Sequence, residues 1–160
     1  MPITNPHTLK LWHRLKKFAN SWIGFACILL VVYHGIRFGQ GYLGRQTFDA
    51  TGLPQHSLQQ AQQIAAEKQQ LIVAELSAYW CSTCKAVDKE LLSQPEIKTL
   101  LTQRYVYARI DETSPEAEVF TQRYGAQGYP TLVLLDSSGQ LLKILPLTLD
   151  VATFMQSLTQ

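Results

Sequence analysis

Cysteine is scarce: three residues in 160, at positions 27, 81 and 84. That is too few for a fold stapled by disulfides. Histidine is missing from everything beyond His56, since His7, His13, His34 and His56 account for all four. A metal site in the later two-thirds of the chain would therefore have no imidazole ligand. From residue 57 onward eight basic residues face eleven acids. No basic stripe exists there to bind nucleic acid. Acids are almost absent before residue 57, where Asp49 stands against Lys10, Arg14, Lys16, Lys17, Arg37 and Arg45. The net charge of +2 thus hides a basic beginning and an acidic remainder. There is no internal repeat and no low-complexity tract, and the ordinary composition excludes wholesale disorder. One globular domain fits this length with residues to spare.

The spare residues include a long apolar run. Between Phe18 and Ile36 there is no charged side chain. As a helix these residues rise about 28 Å, close to the thickness of a bilayer's hydrocarbon core. Trp22 and Tyr33 stand near the ends, at aromatic-belt depth. Lys10, Arg14, Lys16 and Lys17 precede the run, so the positive-inside rule keeps residues 1–17 cytoplasmic and exports the C-terminal domain. A cleaved signal peptide has the same charge order, but Tyr33-His34-Gly35-Ile36-Arg37 is a poor cleavage site. Retention as a signal anchor over residues 18–37 is the expectation, and a buried core helix is the competing reading. Cys27 lies inside this run and reads as a small hydrophobe. Residues 38–56 hold Gly39, Gly41, Gly44, Gly52 and Pro54 with no sustained period, the pattern of a juxtamembrane linker.

Residues 57–160 alternate helix and strand signals. Ser57 and Gln60 form a capping box for a helix reaching about Gln69. Leu71–Ser77 is an apolar run that suits a strand buried on both faces. A helix opens at Cys81 and runs to about Leu92, and Ser93 and Glu96 suggest a cap for the next one. Residues 105–110 form a strand. Ser114-Pro115 begins another helix, with Glu116 and Glu118 at its positive end. Residues 131–135 and 140–145 form a hairpin about Asp136-Ser137-Ser138-Gly139. Asp150 caps a final helix. The fold class is α/β, a mixed central sheet flanked by helices on both faces.

Cys81-Ser82-Thr83-Cys84 carries the chemistry. A thiolate is the nucleophile in disulfide exchange, and a helix N-terminus aims unpaired N–H groups at Cys81 that stabilise its anion. Cys84, one turn on, is placed to resolve a mixed disulfide formed at Cys81. A zinc or copper half-site is the other reading, but it needs further ligands. A structural staple is the third, though so short a loop constrains little of the unfolded chain.

The run Leu71-Ile72-Val73-Ala74-Glu75-Leu76-Ser77-Ala78-Tyr79-Trp80-Cys81-Ser82-Thr83-Cys84-Lys85 resembles the active-site strand and helix of the thioredoxin superfamily. Gly128-Tyr129-Pro130-Thr131 resembles its cis-proline loop. The resemblance covers residues 57–160. Residues 84–90 followed by Ser93-Gln94-Pro95-Glu96-Ile97 are most similar to the C-terminal thioredoxin-like domain of the DsbD transmembrane disulfide reductases. The resemblance implies a thioredoxin-like fold and a redox-active Cys81–Cys84 disulfide. It also implies a cis bond before Pro130 and a substrate groove shaped by Pro130. Tyr129 would offer backbone hydrogen bonds to an extended substrate. Trp80 would cover the active-site face, or simply pack in the core. Glu75 stands where the family has a buried Asp; a carboxylate there is costly unless it has a role, and it could take the Cys84 proton. The family's lysine near that acid has Tyr107 as its counterpart, so that ion pair is missing. Asp88 matches a second acid of the DsbD site, with a solvated helix residue as the alternative. Ser82 and Thr83 replace Gly-Pro, and their hydroxyls could bond the Cys81 thiolate and make the pair less reducing.

The expectation is a membrane-anchored thiol-disulfide oxidoreductase without cofactor or metal, its domain outside the inner membrane. Its partners would be protein disulfides and a redox donor, with a membrane protein as a candidate for the donor. The DsbD resemblance tilts electron flow toward reduction, with an oxidase as the variant. A soft-metal (Cu) or assembly-adaptor module is the alternative from a different class, which Cu(I) titration separates.

Overall fold

A computed structural model describes residues 6–159, with side chains at Lys16, Lys17 and from Ser21 onward. The basic residues Lys10 and Arg14 therefore lie outside the side chains described. The chain divides into two compact units, Met1–Gly39 and Gln40–Gln160. The first helix, α1, spans Pro6–Asp49. Within the first unit the described apolar side chains are exposed, Trp22, Phe25, Ile28, Leu30 and Val31 among them. The segment beginning at Ser21 is long and apolar enough to cross a membrane, with a mean hydropathy of 1.6.

The second unit is a four-stranded sheet between layers of helix. After α1 come α2 (Leu58–Lys68), β1 (Leu71–Ser77) and α3 (Ser82–Ala86). A π-helical turn, Val87–Leu92, continues α3, and α4 (Pro95–Gln103) comes after it. Next are β2 (Tyr105–Asp111), α5 (Glu116–Tyr124), β3 (Thr131–Leu135), β4 (Leu141–Ile144) and α6 (Val151–Thr159). The strand order is β2-β1-β3-β4. β1 pairs parallel with β2 and antiparallel with β3, and β3 pairs antiparallel with β4. This is the mixed sheet that the alternating pattern predicts.

Side chains alternate between the two faces, as a pleated strand requires. Ile72, Ala74 and Leu76 of β1 join Val106, Ala108, Phe120 and Val133 in one core layer. Val73 and Tyr107 join Val87, Leu91, Ile97, Leu134 and Phe154 in the other. Because the period is two, Glu75 and Ser77 share the face of Val73. Both are fully buried.

The end of α1 corrects the linker expectation for residues 38–56. The chain stays helical to Asp49. Phe48, Thr51 and Leu53 are buried, and Phe48 and Leu53 belong to the core layer that holds Tyr107. The Arg109 N–H donates to the His56 carbonyl at 3.0 Å, which extends the sheet beyond β2 by one parallel bridge. Gly44 is there for proximity rather than flexibility. A Cβ on it would stand 1.8 Å from the Tyr79 carbonyl oxygen, so only glycine lets the helix approach that strand end. A helix already running upstream bears no new nucleation cost, which lets a glycine-rich stretch remain helical.

The capping predictions divide. Ser57 and Gln60 complete their reciprocal box, and Asp150 accepts the Thr153 N–H at 2.7 Å. At α4 the N-cap is Gln94, without a side-chain bond. Ser93 instead turns back and donates to the Asp88 carbonyl at 2.7 Å, closing the π-helical turn. In the hairpin, Gly139 takes φ +81°, and Asp136 Oδ1 accepts the Ser138 and Gln140 N–H groups at 2.9 Å each.

Candidate active site

β1 ends at Ser77 and delivers the chain through Ala78, Tyr79 and Trp80 to Cys81, the N-cap of α3. Cys81 has extended backbone (φ −72°, ψ 124°), and its sulfur accepts the Cys84 N–H at 3.2 Å. This is the helix-start geometry that the Cys81-to-Cys84 spacing predicts. Ser82 and Thr83 are exposed, and the hydrogen bond at the Cys81 sulfur comes from the Cys84 amide rather than their hydroxyls. Both cysteines are free thiols. Cys81 is 8% exposed and Cys84 is fully covered. Burial, reinforced by the Cys81 thiol, pushes Cys84 up to about 12.

The loop before β3 approaches from the other side. The Tyr129–Pro130 peptide bond is cis, and the Cys81 thiol donates to the Tyr129 carbonyl at 3.6 Å. Trp80 and Tyr129, 36% and 37% exposed, meet edge to face with ring centres 6.0 Å apart. The Trp80 indole N–H donates to the Glu112 carboxylate. Trp80 therefore stands at the surface beside the thiols rather than in the core. An open cleft of about 250 Å³ lies beside it, lined by Leu76, Thr121, Ala126, Gln127, Gly128 and Tyr129.

On the Val73 face of β1 is a buried charge network that sequence reasoning read only in part. Glu75 accepts a hydrogen bond from the Tyr107 hydroxyl. Arg109 Nη1 reaches both Glu75 oxygens at 3.4 Å. The same guanidinium grips Asp88 with two bonds, Nη1 to Oδ1 at 2.7 Å and Nη2 to Oδ2 at 3.1 Å. Asp88 is wholly buried, which corrects the solvated alternative. Tyr107 does occupy the position facing Glu75, but the site still has a cation, because Arg109 supplies it. Register explains the meeting: Glu75 and Arg109 are partners across β1 and β2. Phe48 lies against the guanidinium, 4.2 Å from Arg109 Cζ to its ring centre, and Tyr79 lies 5.4 Å away.

Arg109 and Phe48 are the residues that sequence reasoning missed. The signal for Arg109 was an arginine in the apolar run of residues 105–110, the same anomaly that marked Glu75. Phe48 gave no such sign, being one aromatic in a glycine-rich stretch. Burial of two carboxylates is costly unless they are paired. Here one guanidinium, one phenol and an aromatic lid meet that cost. Burial and then the Glu75 charge push the Asp88 carboxyl up to about 6. Burial and the same charge hold the Tyr107 phenol protonated, well above its ordinary range. Ser77 Oγ, on the same face as Glu75, is buried and makes no hydrogen bond of normal geometry among the described residues. No group of three or more His, Cys, Asp or Glu is arranged to hold a metal ion among the described residues.

A family model described as Thioredoxin-like matches residues 54–137. The thiol:disulfide interchange protein DsbD of Photorhabdus laumondii is 26% identical over 96 residues, covering 54% of this chain and 17% of that protein. DsbD of Tatumella citrea is 27% identical over 79 residues, covering 49% and 14% respectively. The chain thus matches about a sixth of the length of these relatives. Among solved structures, a thioredoxin from Thermus thermophilus superposes with a TM-score of 0.60 at 24% identity, covering 68% of this chain and 85% of its own. The oxidised C-terminal domain of Neisseria meningitidis DsbD gives 0.56 at 23% identity, covering 67% and 98%. These likenesses establish the fold, and the family model spans the strand, both cysteines and the cis-proline loop. The chain belongs to the thioredoxin-like family, with DsbD among its relatives.

Proposed function

We propose that this protein is a membrane-anchored thiol-disulfide oxidoreductase that reduces disulfides in exported proteins. The observation that carries the reading is the pair itself. A nearly covered Cys81 sulfur is held by the Cys84 amide at 3.2 Å, and Cys84 is buried directly behind it. Cys81 is the attacking thiolate. Its sulfur bonds to one substrate sulfur and releases the other as a thiolate. Cys84 then loses its proton and attacks the Cys81 sulfur. The Cys81–Cys84 disulfide forms and the substrate leaves as a thiol. Glu75 is the group that takes the Cys84 proton. Trp80, Tyr129 and Pro130 frame the open side, where an extended substrate would lie along the Tyr129 backbone.

The apolar part of α1 anchors the domain in the inner membrane, with residues 1–17 cytoplasmic and the domain on the periplasmic side. Its bare apolar surface supports this placement, because such a helix needs a hydrocarbon surround. The domain then draws electrons from a membrane donor, and its DsbD relatives are interchange proteins.

The test uses the full chain in cells and in detergent. Cys81→Ser abolishes reduction of insulin disulfides. Cys84→Ser accumulates mixed disulfides with both donor and substrate, resolved on non-reducing gels. Full activity in both variants sinks the reading. If the protein leaves the membrane fraction in alkaline carbonate, the anchor fails.

A further inference from the structure

The resolving step poses a physical problem. Cys84 has no solvent exposure, so its proton must leave through the protein, and the thiolate left behind has no water to solvate it. A buried anion without a hydrogen bond is strongly disfavoured. The Ala78 backbone favours the thiolate, and the protein supplies one further donor at that place. Ser77 is fully buried, and its hydroxyl makes no hydrogen bond of normal geometry. A buried hydroxyl left idle costs about 1–3 kcal/mol, and such groups in native structures call for an explanation.

Its position gives one. Ser77 is the last residue of β1, and its hydroxyl neighbours the Cys84 sulfur, where it favours the thiolate. Glu75 precedes it by two residues on the same face, about 7 Å away along the strand. Tyr107 and Arg109 already touch the Glu75 oxygens, and the bonds from Arg109 are long at 3.4 Å. Ser77 therefore adjoins the thiol that must lose a proton and shares a strand face with the acid that can receive it.

We infer that Ser77 is a catalytic residue of the resolving step, its hydroxyl turning to donate to the Cys84 thiolate while the Cys84 proton passes toward Glu75. The inference rests on the oxidoreductase reading. The step balances. Cys84-SH and the Glu75 carboxylate become the Cys84 thiolate and the Glu75 carboxylic acid. The thiolate then bonds to the Cys81 sulfur of the Cys81-to-substrate disulfide, and the substrate sulfur departs with the electron pair. Ser77 neither gains nor loses a proton overall. Around Cys84 the titratable groups are Cys81 and Tyr129, and Glu75, Tyr107, Asp88 and Arg109 form a buried set of their own on the Ser77 face of the sheet. Ser77 is the uncharged donor beside Cys84.

The experiment compares full-length wild-type protein with Ser77→Ala, using oxidised glutathione as the disulfide. Quenched mixtures are monitored by mass spectrometry for the mixed disulfide at Cys81 and for the Cys81–Cys84 disulfide. Removing an idle buried hydroxyl leaves the melting temperature unchanged or raised, so a folding loss does not mimic the effect. The expected result is unchanged formation of the mixed disulfide and roughly tenfold slower resolution. The pH midpoint of resolution moves up, and Ser77→Thr, which restores a hydroxyl, recovers part of the rate. Equal resolution rates and midpoints in wild type and Ser77→Ala overturn the role of Ser77. If Cys84→Ser forms no mixed disulfide with glutathione at all, the oxidoreductase reading fails instead, and the two failures stay distinct.

Discussion

Asp88 is a buried carboxylate whose cation is remote in sequence. It lies four residues beyond the buried Cys84, so helical spacing alone places it toward the interior. A charge there needs a cation, and that cation is Arg109, 21 residues further along. The helix-start placement of the cysteines was legible because it is local: two thiols, one turn, one N-cap. Glu75 was legible as a charge inside an apolar strand. The pairing of Glu75 with Arg109 was not, because it depends on the register of two strands. The Asp88 pKa yields a test with a definite sign. Its carboxyl is raised to about 6, so the native state holds that proton more tightly than the unfolded chain does. Stability contributed by this group is present below about pH 4 and is lost as pH rises to about 6. The loss is at most about 3 kcal/mol. Asp88→Asn keeps an oxygen for Arg109 and removes that slope, which urea titrations between pH 4 and pH 7 measure. Asp136 and Asp150, whose carboxyls are lowered by their capping bonds, act in the opposite sense. Their contribution is lost only as pH falls below the ordinary carboxyl range, outside this window.

Among the elements, the strands and most helix starts could be read from period and capping residues. The end of α1 could not. Counting glycines between Gly39 and Gly52 suggests a flexible tether, yet the same residues are helical as far as Asp49. Gly44 looks like a breaker in the sequence and serves in the fold as a contact point with Tyr79. The helix end thereby becomes part of the thioredoxin-like domain. Arg45 lies over the Tyr79 ring, 4.6 Å from Cζ to its centre, and Phe48 covers Arg109. Phe48→Ala should cost about 3–5 kcal/mol, read as a lowered urea midpoint. A chain beginning at residue 57, which lacks Phe48, Thr51 and Leu53, should be less stable than one beginning at residue 40. Equal midpoints for these two truncations would restore the linker reading.

On the scale of the whole molecule, the order of parts was legible: a basic start, an apolar helix, then an α/β domain. Hydropathy and strand patterning are averages over many residues, and they survive errors at single positions. The boundary between the parts was the weak point, because it depends on packing contacts that no average reports. Its revised position has a practical effect through Trp80. The other tryptophans, Trp12 and Trp22, lie before residue 40, so a domain beginning there has a single indole. That indole adjoins Cys81 in the chain and is held by Glu112 and Tyr129. A disulfide quenches a neighbouring indole, whereas two thiols do so far less. Tryptophan emission should therefore fall when Cys81 and Cys84 are oxidised and recover with dithiothreitol, giving the oxidation state of that pair an intrinsic optical readout.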